Sequence, residues 1–214
     1  MEKNPEKMNW VWEDMLREIT NIGSGNAATA LSGLLNRPIS QSVPEIKLVS
    51  LSQMPKIMGG AEKIVMAGML AISGDISGYL LMIIEPEQVK QILSAVKGNS
   101  LLSDDPIVLT QLSEMEVSIL SETVNIMGGS YLSAVCELTG LKAVTSIPYL
   151  CTDMIGAVLN IAIAEVGKTG DYAVLFSSEF YNEDEKIDGK LLLIPEESSC
   201  KKIMESIGSV YGTT

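Results

Sequence analysis

The sequence predicts an α+β fold: a tandem, pseudo-twofold repeat that builds one continuous, mostly antiparallel sheet with two long helices on one face. Three observations predict it. A polar pattern is written twice, Asp14, Glu18, Asn21 and Pro44 being matched by Ser118, Glu122, Asn125 and Pro148 at steps of four, three and 23 and an offset of 104. A strand-like apolar run also recurs, Ile76–Ile83 against Ile187–Ile194, at an offset of 111, so the second half holds seven extra residues, expected around the acidic turn 182–185. Finally, each half reads as a helix, strands and a helix, and neither buries its sheet face and its helix well alone, which favours one shared sheet. We therefore read residues 1–214 as one domain with internal repeats at approximately 8–97 and 106–208.

The elements follow in order. Trp12, Met15, Ile19 and Ile22 recur at helical steps within 8–36, and Asn36-Arg37-Pro38 ends that helix. Residues 43–50 look extended, and Leu51–Met58 form a short helix. Ile64–Ile72 and Ile76–Glu85 read as strands around a Ser73-Gly74-Asp75 turn, and Pro86 opens a helix through Val96. Residues 98–106 read as a linker. The plan then repeats: a long helix from about Pro106 to Leu138 with Gly140 at its C-cap, an extended stretch near 143–150 and a short helix near 152–165. Strands near 171–180 and 187–194 follow, and Pro195 opens a last helix that ends near Gly208.

Both long helices carry interior glycines, Gly23 and Gly25 in the first, Gly128 and Gly129 in the second. An interior glycine costs roughly 0.5–1 kcal/mol against alanine. With Ala27, Ala28, Ala30, Ser130, Ser133 and Ala134 beside them, the glycines read as devices for close packing. A phosphate loop would set its glycines between a strand and a helix.

Composition narrows the function. Apolar residues make up 46% of the 214, enough for a substantial core. A net charge of −12 repels phosphate backbones and anionic lipid, which argues against nucleic-acid and membrane-surface roles. The chain has no histidine, which removes Ser-His and Cys-His catalysis, histidine phosphotransfer and the commonest metal ligand, so no metal or cofactor of its own is expected. Cys136, Cys151 and Cys200 are scattered and read as reduced, buried thiols. The charged start lacks a signal-peptide core, and Met154–Val166 is too short and polar to span a bilayer; a soluble, cytoplasmic protein is expected.

On a helix, positions i, i+4 and i+7 share one stripe. Asp14, Glu18 and Asn21 therefore project together, opposite Met15, Ile19 and Ile22, and Ser118, Glu122 and Asn125 repeat the arrangement. A carboxylate can pair with a partner's lysine. An amide accepts one hydrogen bond and donates another, so it can hold a water in a chosen direction. A polar stripe can also be no more than a solvated face, and the prolines can simply shape the turn into a strand. The duplicated spacing favours function, because Glu-x-x-Asn recurs while neighbours differ, Thr20 against Val124 and Asn26 against Ser130.

The two stretches, Glu18-Ile19-Thr20-Asn21-Ile22-Gly23-Ser24-Gly25-Asn26-Ala27-Ala28 and Glu122-Thr123-Val124-Asn125-Ile126-Met127-Gly128-Gly129, resemble the CheC/CheX/FliY family of chemotaxis phosphatases. That family's signature is Asp or Ser, three residues, Glu, two residues, Asn, 22 residues and Pro; two complete copies in one short chain suit its CheC branch. The resemblance implies hydrolysis of the aspartyl phosphate of the response regulator CheY. Glu18 and Glu122 would pair with a lysine of the regulator, and Asn21 and Asn125 would orient the attacking water. Asp14, Ser118, Pro44 and Pro148 would support, Thr20 would stand harmlessly for a frequent glycine, and Mg²⁺ would be bound by the regulator. A second partner, the deamidase CheD, would dock on a short helix from Thr152 to about Val158, with Asp153 and Met154 as contacts. Two other readings stay open: a non-catalytic adaptor that binds phosphorylated CheY or CheD, and a structural domain whose repeat is only a relic of duplication.

Overall fold

The structure, a computed structural model, describes residues 5–97, 111–166, 172–181 and 186–210. The expected linker at 98–106 and the acidic turn at 182–185 lie outside them. The first long helix, α1 (Pro5–Leu35), buries Met15, Leu16, Ile19, Leu31 and Leu35 and ends on Asn36 in the left-handed region, at φ 50°. Two edge strands follow, β1 (Ser40–Gln41) and β2 (Glu45–Ser50), then a 3₁₀ turn (Leu51–Gln53) and a one-turn helix, α2 (Met54–Ile57). A hairpin, β3 (Ile64–Gly74) and β4 (Gly78–Ile84), leads into α3 (Pro86–Lys97).

The second half runs α4 (Glu114–Thr139), β5 (Ala143–Thr145), β6 (Tyr149–Met154), α5 (Ile155–Val166), β7 (Tyr172–Tyr181), β8 (Lys186–Pro195) and α6 (Glu197–Val210). Three boundaries differ from expectation. The second long helix begins at Glu114, not near Pro106. Ser113 caps it from an extended backbone: its hydroxyl accepts from the Glu116 N–H, and its own N–H donates to the Glu116 carboxylate at 2.8 Å, a reciprocal box that fixes the first turn. Thr152, Asp153 and Met154 belong to β6, not to the short helix, because they pair with Met66, Val65 and Ile64 of β3. Pro195 ends β8 opposite Gly78 and does not open α6, whose first residue is Glu197.

All strand pairs are antiparallel, and the order β1-β7-β8-β4-β3-β5, with β2 on β7 and β6 on β3, is the same read from either end. β4 and β8 form the central pair, so the pseudo-twofold axis passes between them. Each half lends its first strands to the other half's hairpin, which interlocks the halves. Met69 of β3 pairs with Tyr149, and Ser177 of β7 with Glu45, an offset of 177 − 69 = 108 between β3 and β7 against 149 − 45 = 104 between the strands they meet. Four of the seven extra residues therefore precede β7, and the acidic turn does not hold them all.

Strand alternation gives the sheet two apolar faces. Leu70, Leu80, Met82, Phe176, Leu191 and Leu193 meet α1, α3, α4 and α6 on one face. Val65, Ala67, Leu81, Ile83, Leu175 and Leu192 meet α2 and α5 on the other. Two of the four interior glycines are the packing devices expected. A Cβ on Gly23 would lie 2.9–3.1 Å from atoms of Tyr131, and one on Gly128 would lie 2.2 Å from Leu70. Gly25 and Gly129 are not: a Cβ on Gly25 would make only an ordinary 3.6 Å contact with the Gln41 amide, and one on Gly129 would meet nothing within 4 Å.

Candidate functional site

The helical period sorts the long helices as the sequence predicts. Met15 and Ile19 are buried and Ile22 packs on the core, while Asp14, Glu18 and Asn21 are exposed. In α4, Ile119, Leu120 and Val124 are buried while Ser118, Glu122 and Asn125 are exposed. Thr20 is 1% exposed, and its hydroxyl donates back to the Leu16 carbonyl, so it takes no part in the exposed face. Thr123 is treated alike, donating to the Ile119 carbonyl at 2.9 Å.

The chain then folds back along each helix. The Ile39 N–H donates to Ser32 Oγ at 2.9 Å, and Gln41 comes up against Gly25. In the second copy the Cys136 thiol lies 4.0 Å from the Ala143 carbonyl, at the matching positions. Beyond the Gln41–Gly25 contact the chain runs on through Val43 and half-buried Pro44 towards β2. Pro148 holds the matching position in the second copy. Because β1 and β2 close one edge of the sheet and β5 and β6 the other, the two stripes lie on opposite flanks of the α1–α4 pair.

Two features of these flanks are absent from the four-residue pattern. First, Gly25 and Gly129 stand four positions beyond Asn21 and Asn125, on the same stripe. Second, the prolines sit in matching β-bulges. Between the pairs Gln41↔Phe180 and Glu45↔Ser177, residues 42–44 oppose 178–179. Between Thr145↔Ile72 and Tyr149↔Met69, residues 146–148 oppose 70–71. A serine mends the ladder in both: Ser42 N–H donates to the Glu179 carbonyl at 2.9 Å while its Oγ accepts from the Glu179 N–H at 3.4 Å, and Ser146 repeats this with Ala71 at 2.8 and 3.0 Å. The bulge turns the residue between serine and proline outward, and Val43 and Ile147 are each 89% exposed. The sequence signal for both features is the same 104-residue offset: Gly25/Gly129, Ser42/Ser146 and Val43/Ile147.

Asp153 and Met154 are exposed at the end of β6, with the Met154 N–H donating to Asp153 Oδ1 at 2.7 Å. The cysteines are free but half-buried rather than buried, and desolvation pushes all three thiols up. Among the described residues no group of three or more Cys, Asp and Glu side chains is placed to hold a metal ion, and no helix is long and apolar enough to cross a membrane.

Comparison with known proteins places this geometry. The model of the CheC-like family matches residues 13–48, which run from the start of the first stripe through the bulge into β2. The CheY-P phosphatase CheC of Bacillus subtilis (strain 168) is 32% identical over 198 residues, 92% of this chain and 93% of that protein. The crystal structure of Thermotoga maritima FliY superposes with a TM-score of 0.72 at 22% identity, over 98% of this chain and 99% of that one. A chain of the CheX-CheY-BeF3-Mg complex from Borrelia burgdorferi does so with a TM-score of 0.52 at 15% identity, over 85% of this chain and 99% of its own. At those identities the two structures speak to the fold.

Proposed function

The chain belongs to the CheC-like family, and from that premise we propose that it is a cytoplasmic phosphatase of phosphorylated CheY with two working sites, one on each long helix. The observation that carries the reading is the exposed Glu-x-x-Asn stripe on α1 and again on α4. Glu18 or Glu122 pairs with a lysine at the regulator's active site and fixes the approach of the helix. Asn21 or Asn125, one turn further on, enters beside the phosphoryl group. Its amide holds a water in line with the bond to be broken. Water oxygen bonds to phosphorus, the bond from phosphorus to the aspartyl oxygen breaks, and the products are inorganic phosphate and the free aspartate carboxylate. The regulator supplies the acyl phosphate and the Mg²⁺ that takes up charge. Phosphoryl transfer asks chiefly for alignment and charge stabilisation, so two uncharged amides with no histidine or metal behind them suffice.

Phosphate release from Mg²⁺-loaded, phosphorylated CheY tests the reading. The wild type accelerates release, and the Asn21→Ala/Asn125→Ala double variant loses on the order of 10²–10³ in rate while still binding the regulator. Acceleration that survives in the double variant removes the asparagines from the mechanism. Binding without any acceleration by the wild type leaves an adaptor. Within the same proposal, exposed Asp153 and Met154 are the contacts for CheD at the junction of β6 and α5, and Met154→Asp abolishes co-elution with CheD without lowering the basal rate.

A further inference from the structure

The duplication supplies an internal comparison. A position kept in both copies for packing has something to pack against, and two matched pairs of positions have little or nothing. A Cβ on Gly129 would meet no atom within 4 Å, and one on Gly25 would touch only the Gln41 amide at 3.6 Å. Both are nevertheless glycine, in mid-helix, one turn beyond the asparagine. Val43 and Ile147 are large, aliphatic and 89% exposed in both copies, and a serine-mended bulge holds each of them out. A bulge of this kind re-aims a side chain, often beside a functional site. Both features flank the stripe that carries the Glu/Asn pair, and both occur at each edge of the sheet.

We propose that each Glu/Asn pair is set in a shaped docking surface for the phosphorylated receiver of the response regulator: a bare helix turn at Gly25 or Gly129, and an aliphatic knob at Val43 or Ile147. The proposal rests on the phosphatase reading. An asparagine amide reaches only a few ångströms from its helix. To bring it to a phosphorus atom inside a partner's site, the partner must close onto the helix backbone. A side chain at Gly25 or Gly129 would hold it off, whereas the bare turn lets it settle. The knob stands beside that turn and enters an apolar spot on the receiver, giving the complex an affinity that charge pairing in water does not. The aliphatic side chain is thus a specificity-determining contact, separate from the chemistry.

The test uses the Asn125→Ala chain, in which only the first site works, and reads phosphate release against regulator concentration together with binding of beryllofluoride-activated regulator. Val43→Ser raises KM and Kd about tenfold with kcat retained, and Val43→Ile restores both. Gly25→Ala melts about 2 °C higher, as a helix gaining alanine should, yet raises KM. Unchanged KM and Kd in both variants, with normal wild-type turnover, overturn the docking surface and leave the phosphatase reading standing. Absent wild-type turnover overturns the phosphatase reading, and the binding comparison then decides alone: weaker binding by Val43→Ser keeps the surface, equal binding or none at all overturns it.

Discussion

In the proposed mechanism a glutamate and an asparagine three positions apart meet the same patch of a partner but act at different stages, and single substitutions separate them. In the Asn125→Ala background, Glu18→Gln loses the lysine pairing before and during the reaction alike, so KM rises about tenfold and kcat is largely kept. Asn21→Ala acts on kcat, because the ordered water matters only once the complex has formed. Initial rates over a range of phosphorylated regulator distinguish the two; a Glu18→Gln variant with normal KM removes the glutamate from recognition. The shared exposed stripe of Glu18 and Asn21, and of Glu122 and Asn125, was legible because helical period and duplication both operate locally along the chain. Gly25 and Gly129 were misread for the converse reason. A bare turn looks the same in sequence whether it meets a neighbouring element, as Gly23 meets Tyr131, or faces outward. Another charge was not legible at all. Glu85 follows β4 and lies 2.8 Å from Lys63 and 3.4 Å from Lys190, residues far apart in sequence. The hydrogen bond from Lys63 chiefly lowers its pKa below the ordinary 4.5. A carboxylate held below its unfolded value stabilises the fold above that value and ceases to do so as pH falls through the lowered one. Glu85→Gln is therefore less stable than wild type in urea at pH 7, and the difference shrinks as pH falls below 4.5 and through the lowered pKa.

Elements show where local signals stop. The start of α4 is written in Ser113 and Glu116, whose capping box fixes the first turn, while Pro106 lies outside the described residues. Ser113→Ala should cost about 1 kcal/mol in chemical denaturation. The boundary of β6 is written elsewhere. Thr152–Met154 have a helix-compatible sequence, but β3 offers them a ladder as far as Ile64. Only where that partner ends does the chain turn, with Ile155 and Gly156 donating to the Lys63 and Ala61 carbonyls at 2.9 Å each. The bulges are non-local in the same sense, since an extra residue is visible only against the strand it faces. Tyr131 ties the elements together from inside: buried between α1, α4 and β7, it shares a hydrogen bond with Ser178, and desolvation pushes its pKa up to about 12. It stays neutral throughout the working range. Tyr131→Phe leaves the Ser178 hydroxyl buried with one partner fewer and destabilises by about 1–2 kcal/mol, read as a shift in urea midpoint with unchanged slope.

At the scale of the molecule, the palindromic sheet order decides how the two proposed sites relate. β1 and β2 form one edge and β5 and β6 the other, with β7, β8, β4 and β3 between them. The stripes consequently face away from each other across the α1–α4 pair, and a receiver docked on one flank leaves the other open. The sites share no residue and no strand edge. Substitutions in them should therefore add, as independent sites do. The rates of Asn21→Ala and Asn125→Ala chains, each measured at saturating regulator, should sum to the wild-type rate, and titration with activated regulator should reach two per chain. The two shares need not be equal, because the flanks are not identical: the first carries Asp14 and Arg17 where the second carries Ser118 and Ser121. A stoichiometry of one, or a single variant that abolishes all turnover, would mean that the second stripe is a relic of the duplication that built the sheet.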